Sequence, residues 1–291
     1  MKVLVTGGTG FVGPHVVRAI QDAGHDVRTL VRSGSVPGAE RAQGDMTDAD
    51  SLGRAVQGVD AVVHLVAIRQ GREDQFQRIM VDGTRDLLAA ARDAGVGRFV
   101  QMSALGTSEE TKDLVPYYRA KWLQEGLVRE SGLEHVIFRP SFVFGREGGI
   151  IPTFRKLAKV APVTPIIGSG RQRIQPVWVD DVAAHFSRAL ATAEAANRTF
   201  EFGGPDVVSW DEFWTRLKRA LGVRRPSLHV PMAFMRANAL VTERLPGDIP
   251  LTRDLLKMLE HGDNVVTNTD AVETFALPLV PLDEQLRRVA A

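Results

Sequence analysis

The stretch KVLVTGGTGFVG, residues 2–13, decides how the rest of the chain is read. Lys2 to Thr6 form a short, valine-rich apolar run closed by glycine, which is a strand signal. Gly7, Gly10 and Gly13 follow at three-residue spacing and stand at the mouth of an amphipathic stretch. Glycines there let the backbone turn tightly and approach a phosphate, whose charge is favoured by the free N–H groups of a helix start. Strand, glycines and helix arrive in that order, so the stretch reads as a dinucleotide site rather than a merely structural turn.

The following residues repeat the rhythm. Apolar runs at 26–32, 60–66, 98–103 and 135–140 read as strands, with 40–45 a weaker one, and helical patterns lie between them, clearest at 74–96. Alternation at this spacing predicts an α/β fold of the Rossmann type: a doubly wound parallel sheet with helices on both faces. After Pro140 the rhythm breaks. Residues 146–172 are rich in Gly and Pro, 173–193 give a short strand and a helix, and 198–204 give another strand. From Ser209 the pattern is mostly helical, with starts marked by SWDEF and PLTRD. The expected organisation is a dinucleotide-binding domain over 1–145, with 173–204 returning to it. A smaller, mainly helical C-terminal substrate lobe over 146–172 and 205–291 would lie at the carboxyl edge of the sheet.

Composition narrows the partners. Basic and acidic residues nearly cancel (36 against 35), so no electrostatic footprint for nucleic acid is present. The absence of cysteine removes thiol nucleophiles, disulfides and Cys-ligated zinc, and fits a reducing compartment. No apolar run is long enough to be a transmembrane segment and no secretory leader pattern is present, so a cytoplasmic protein is expected. The seven histidines show no metal-ligand spacing, and no metal is expected.

Two features bear on chemistry. The second strand ends at Arg32, followed by Ser33, with no acid to hold an adenosine ribose. A guanidinium suits a 2′-phosphate, so NADP(H) is favoured while NAD(H) stays open; the competing reading is a solvated strand-end arginine. In VPYYRAKWLQE, residues 115–125, Tyr117 stands four residues before Lys121. The two share a helical face and Tyr118 does not, although this spacing alone fits two incidental surface residues as well.

Taken together, the glycine turn, SALG (103–106), Tyr117/Lys121, FRPSFVFG (138–145) and QPVWVDDVA (175–183) resemble the extended and atypical short-chain dehydrogenase/reductases. The tail, PLTRDLLKMLEHGDNVVTN (250–268) with PLVPLDEQLRR (278–288), is similar to the branch holding the NADPH-binding accessory subunit of mitochondrial complex I and its bacterial homologues. The resemblance implies that Tyr117 exchanges a proton with the substrate oxygen. Lys121 would lower the phenol's pKa and bind the nicotinamide ribose, and Ser103 would orient the substrate oxygen. It further implies cofactor contacts from Gly7, Thr9, Gly10, Phe11, Val12 and Gly13 at the pyrophosphate, and from Asp45 and Met46 beside the adenine. Val66 and Ala67 would run beneath the cofactor, and Pro140, Ser141, Phe142 and Val143 would pass the nicotinamide amide. For Met46 and Val66, core packing is an equal reading.

Three departures matter. Val31 stands where NAD-preferring members carry an acid. Met80, in MVDGT, stands where many extended members carry asparagine, and a thioether cannot relay a proton. Only fourteen positions separate Ser103 and Tyr117, fewer than sugar-nucleotide epimerases usually have. Elsewhere, His64 reads as a core histidine, Asp180 and Asp181 as helix caps, and Trp210 with Trp214 as a core-facing pair. The apolar stretch 231–241 reads as core; the alternatives are the lining of a pocket for an apolar small-molecule substrate and a face turned to a membrane or partner. The leading expectation is an NADP(H)-dependent oxidoreductase acting on a carbonyl or alcohol. The alternatives are a non-catalytic NADPH-binding subunit or redox sensor, in an oligomer or respiratory complex, and a sugar-nucleotide epimerase or dehydratase whose anion ligands would be Arg171 and Arg173.

Overall fold

The computed structural model describes residues 1–243 and 252–291, with the side chains of 241 and 242 left out. Two compact units emerge, one of residues 1–140, 179–202 and 267–278, the other of 141–178, 203–266 and 279–291.

The first unit is built on seven strands: β1 (Lys2–Thr6), β2 (Asp26–Val31), β3 (Glu40–Gln43), β4 (Ala61–His64), β5 (Arg98–Met102), β6 (Glu134–Pro140) and β7 (Arg198–Phe202). They pair in parallel in the order β7-β6-β5-β4-β1-β2-β3. The central strands are buried along both faces, as parallel strands covered by helices must be, and the valine-rich runs supply that apolarity. Strand order reverses beside β1, and in such sheets the ligand crevice lies at the carboxyl ends of the strands at that switch.

Helices α1 (Gly13–Asp22), α2 (Ala49–Ala55), α3 (Gly83–Asp93), α4 (Pro116–Glu130) and α5 (Val179–Ala189) cover the sheet. The single helix expected across 74–96 is interrupted: Phe76–Asp82 is a π-helix leading into α3. Residues 267–278, assigned by the sequence reading to the second lobe, instead join the first unit. Their helix Asp270–Phe275 sets the Phe275 ring 5.4 Å from Phe138 and 5.1 Å from Phe200.

Among its described residues the second unit is mainly helical, with helices Ile151–Val160, Trp210–Ala220, Met232–Thr242, Arg253–His261 and Leu282–Ala290 and three short two-stranded pairings. Ser209 caps its helix by accepting from Glu212 N, and Thr252 does the same from Leu255 N. Pro250 and Leu251, the start of the expected PLTRD signal, lie outside the described residues. Trp214 is buried in this unit's aromatic core with Phe213 and Phe144, and Trp210 packs against its edge. The stretch 231–241 departs from the core reading: Phe234 is 64% exposed, while Ala239 is buried. Among the described residues, no helix is long and apolar enough to cross a membrane.

Candidate functional site

The glycine turn is built as its spacing requires. Gly7 has φ +78°, and a Cβ there would stand 3.0 Å from the backbone of Leu65 and Val66 at the end of β4. Gly10 N–H closes the turn on Gly7 O at 3.0 Å. At Gly13 a Cβ would lie 2.4 Å from the carbonyl oxygens of both Gly7 and Gly8, so no side chain fits. Helix α1 starts from Val12 with no side-chain cap, with Pro14 in its first turn and no acidic residue there. Its first N–H groups therefore have no side-chain acceptor and face an anion's preferred place. Thr9 and Gly10 are exposed, and Phe11 and Val12 half-buried. Phe11 sets its ring edge to His15, whose Nδ1 lies 2.5 Å from Asp180 Oδ1. Asp180 and Asp181 stand in the first turn of α5, not at its cap, where their charge favours the helix dipole.

Arg32 and Ser33 are exposed just beyond β2. Arg32 Nε makes only a loose contact with Asp45 Oδ2, at 3.9 Å. Asp45 accepts from Thr47 N and Oγ1 at 2.8 and 2.7 Å. Burial would raise its carboxyl, but the Thr47 bonds and the Arg32 charge outweigh that and hold it below the usual range. Met46 is buried among Leu4, Leu30 and Leu52, so its side chain is core; Val66 packs partly on the same cluster and Ala67 is exposed.

Helix α4 packs its two tyrosines differently. Pro116 opens it after an extended Val115, as its ring prefers. Tyr118 is buried, and its hydroxyl donates to Leu105 O at 3.3 Å, beneath a Gly106 that leaves no room for a side chain. Tyr117 is half-buried beside the cluster of Phe76, Met80, Val81 and Ala120. Burial, then the neighbouring Tyr118, holds its phenol well above the ordinary value. Lys121 is 1% exposed, and its Nζ donates to Met102 O at 2.6 Å. Burial pushes its ammonium down to about 7, against the opposing pull of Glu125.

Ser103, just beyond β5, has its hydroxyl proton already engaged. Its hydroxyl donates to Glu125 Oε1 at 2.6 Å. Glu125 is clamped in turn by Arg139 of β6, through Nε to Oε1 at 2.8 Å and Nη2 to Oε2 at 2.6 Å. Glu125 and Arg139 went unremarked in the sequence reading, although Glu125 continues the 117, 121 spacing by one more turn.

Below them lies a buried polar group around His64. Thr84 Oγ1 donates to Met80 O at 2.5 Å and receives Gln124 Nε2–H at 2.7 Å. His64 Nε2 lies 3.0 Å from that hydroxyl and 3.3 Å from Gln124 Nε2, and its Nδ1 lies 2.6 Å from Thr6 Oγ1. Burial, and then the charge of Lys121, push His64 down to about 3. It is a neutral core histidine. Met80 is fully buried; what its position contributes to the network is the carbonyl, not the side chain.

In the second unit Ser141 Oγ donates to Gln175 O, Phe142 stacks on Phe144 with Trp210 and Phe213 edge-on, and Val143 pairs with Val177. Arg173 is neutralised by Asp263 at 2.7 Å, and Arg171 is exposed.

A doubly wound parallel sheet, with a glycine turn opening its first helix, defines an α/β protein of the dinucleotide-fold class. The chain belongs to the NAD dependent epimerase/dehydratase family, whose model matches residues 3–203. It is similar to the 2-alkyl-3-oxoalkanoate reductase of Stenotrophomonas maltophilia (strain K279a), at 28% identity over 100% of this chain and 99% of that protein. It is also similar to the mitochondrial NADH dehydrogenase [ubiquinone] 1 alpha subcomplex subunit 9 of Rattus norvegicus, at 28% identity over 98% of this chain and 79% of that protein. In fold it matches a short-chain dehydrogenase/reductase superfamily protein from Agrobacterium tumefaciens solved with bound NAD. The TM-score is 0.75 and the identity 24%, over 100% of this chain and 96% of that one.

Proposed function

We propose that the protein is a pyridine-nucleotide-dependent oxidoreductase acting on a carbonyl or its alcohol, with NADP(H) preferred. The observation that carries this reading is the division of labour on α4. Tyr118 is committed to Leu105 O, while Tyr117 stands one turn from a buried Lys121 that titrates near neutrality.

The glycine turn suits a pyrophosphate, because Gly7 and Gly13 leave space only for backbone and α1 has no side-chain cap. The cofactor, when bound, supplies or accepts the hydride. Tyr117 gives its phenolic proton to the substrate oxygen as a carbonyl becomes an alcohol, and takes it back in the reverse direction. With its phenol raised by burial, Tyr117 is protonated at neutral pH, the form needed to donate. The charged form of Lys121 favours the phenolate that remains and binds the nicotinamide ribose; Ser103 attends the substrate oxygen. Arg32, exposed and only loosely engaged by Asp45, is free to meet a 2′-phosphate. The relative whose name carries an alkyl-oxoalkanoate supports a partly apolar carbonyl substrate.

The test is a screen of carbonyl compounds with NADPH and NADH, followed by two variants. Removing a general acid costs ~10²–10⁴ in rate. Tyr117→Phe should therefore nearly abolish turnover while cofactor affinity holds, and Tyr118→Phe should change turnover little. Normal turnover in Tyr117→Phe would sink the catalytic reading.

A second reading, a non-catalytic NADPH-binding subunit or sensor, is favoured by one observation. Met80 is buried where an asparagine would offer a side-chain relay, and a complex I accessory subunit is among the relatives. Tight NADPH binding with no turnover across the screen would support it. The epimerase reading is weakened by Arg173, whose charge Asp263 already takes.

A further inference from the structure

Glu125 lies one turn beyond Lys121 on α4, and its side chain has no solvent exposure. A lone buried carboxylate is costly, and this one is answered on every side. Arg139 grips both oxygens, Arg129 on the same helix donates to Oε2 at 2.5 Å, and Ser103 donates to Oε1 at 2.6 Å. Burial alone would raise the carboxyl; Arg139 first, then Ser103 and Arg129, hold it below the usual range, so it is ionised. An ionised carboxylate only accepts, so the Ser103 proton lies on the Glu125 side. A hydroxyl has one proton and two lone pairs, which leaves Ser103 nothing but lone pairs for any other partner.

We propose that Glu125 is a positioning residue of this site. Clamped by Arg139, it turns the Ser103 proton away from the substrate oxygen, so that Ser103 acts as an acceptor, and its charge sustains the ammonium form of Lys121. This rests on the roles proposed above for Tyr117, Lys121 and Ser103, and it deepens them. Tyr117 becomes the sole proton donor to a carbonyl oxygen and takes the same proton back from an alcohol; Ser103 neither gives nor takes one and presents only lone pairs on that side. Lys121 meets Met102 O on β5 and the charge of Glu125 one turn on; His64 on β4, which the Lys121 charge also reaches, is neutral. Glu125 is the one whose charge favours the ammonium.

The experiment reads Lys121 directly and needs no substrate. In the full chain labelled with [ε-¹³C]lysine, the Lys121 resonance is assigned by its loss in Lys121→Arg and titrated in wild type, Glu125→Gln and Glu125→Asp. Loss of an opposite charge at this range lowers the midpoint by ~1 unit, about tenfold in charged fraction. Glu125→Gln should therefore titrate below the wild-type midpoint of about 7, and Glu125→Asp close to it. Where a substrate is in hand, the alkaline limb of the kcat profile should move down with the midpoint in Glu125→Gln. Activity lost at pH 7.5 should then be largely regained near pH 6, which a merely structural defect would not allow. A folded Glu125→Gln with an unmoved Lys121 midpoint would overturn the proposal, as would an equal loss of kcat at every pH. Should Glu125→Gln fail to fold around the unpaired Arg139, Ser103→Ala and Glu125→Asp decide. Both keep the charge, so both must leave the Lys121 midpoint in place; a midpoint moved in either variant overturns the proposal. Normal turnover in Tyr117→Phe would remove the catalytic reading without touching the Lys121 titration, so the two failures are distinguishable.

Discussion

Alanine at Gly13 and alanine at Gly10 should separate folding from cofactor binding within one turn. At Gly13 the new Cβ would lie 2.4 Å from two carbonyl oxygens, those of Gly7 and Gly8. An ordinary carbon–oxygen contact is about 3.3 Å, so the overlap approaches 1 Å against backbone that cannot rotate away. Overpacking costs ~1–3 kcal/mol, and a rigid neighbour puts this case at the upper end. The melting temperature should fall by roughly 6–12 °C. At Gly10 the nearest atom is Gly7 O at 3.3 Å, which needs only a few tenths of an ångström of adjustment. Stability should change by less than ~1 kcal/mol. Gly10 is exposed ahead of α1, however, and its methyl would stand where the backbone meets a pyrophosphate. A charge-assisted hydrogen bond is worth ~1.5–3 kcal/mol, so Gly10→Ala should weaken cofactor binding roughly 10- to 150-fold. Scanning calorimetry reads the first effect and isothermal titration with NADPH and NADH the second. A Gly13→Ala protein as stable as wild type would refute the turn geometry. A Gly10→Ala protein that folds and binds both nucleotides normally would refute the pyrophosphate site.

Two further outcomes follow from side chains already described. Arg32→Ala should weaken NADPH roughly tenfold, at the low end of a charge-assisted bond because Arg32 is exposed, and leave NADH nearly unchanged; equal affinities for the two nucleotides in the unmodified protein would contradict the preference. Stability should rise with pH above neutrality because of Lys121. In the unfolded chain its amine holds a proton up to about 10.5, in the folded chain only to about 7, so between those values the unfolded state binds the extra proton. One proton corresponds to ~1.4 kcal/mol per pH unit, and Lys121→Met should flatten the slope between pH 7 and 10 by up to that much in denaturant titrations. A slope unchanged by the substitution would show that Lys121 is not buried in this way.

The centre of the sheet was legible because its strands are short apolar runs bounded by turn residues, and strands covered on both faces need no polar alternation to reveal them; the edge strand Glu40–Gln43 is polar and exposed and gave the weaker signal. The π-helix was not legible. Residues 74–96 carry one continuous helical pattern, and the shift to wider turns at Phe76–Asp82 is supported by tertiary partners instead. The Met80 carbonyl accepts from Thr84 Oγ1 and from Gln124 Nε2, the latter forty-four residues away. The same holds for Asp270–Phe275. Its pattern announces a helix, but its membership in the first unit depends on Phe275 meeting Phe138 and Phe200, which no local rule foretells.

Within the site, helical geometry shows only that Tyr117, not Tyr118, shares a face with Lys121; the role of the pair came from the resemblance. Glu125 shares that face too, and its spacing was equally visible. It was passed over because a glutamate on a helix is by default a solvated one. What reverses that default is a guanidinium contributed by the next strand: Arg139 contributes most to keeping the fully buried carboxylate ionised, and the carboxylate in turn answers a largely buried guanidinium. Helix α4 buries Lys121, Gln124 and Glu125 along one face, a costly arrangement for a helix that needs only to cover a sheet. Each of the three has its partner from another element, namely Met102 O, Thr84 with Met80 O, and Arg139 with Ser103. Polar side chains so placed fix the rotation of α4 about its own axis far more narrowly than apolar ones would, because hydrogen bonds fail within a fraction of an ångström where van der Waals contacts adapt. The same rotation sets where Tyr117 points, so the buried charges below the phenol act on the proposed catalytic end of the helix in a way its exposed residues cannot.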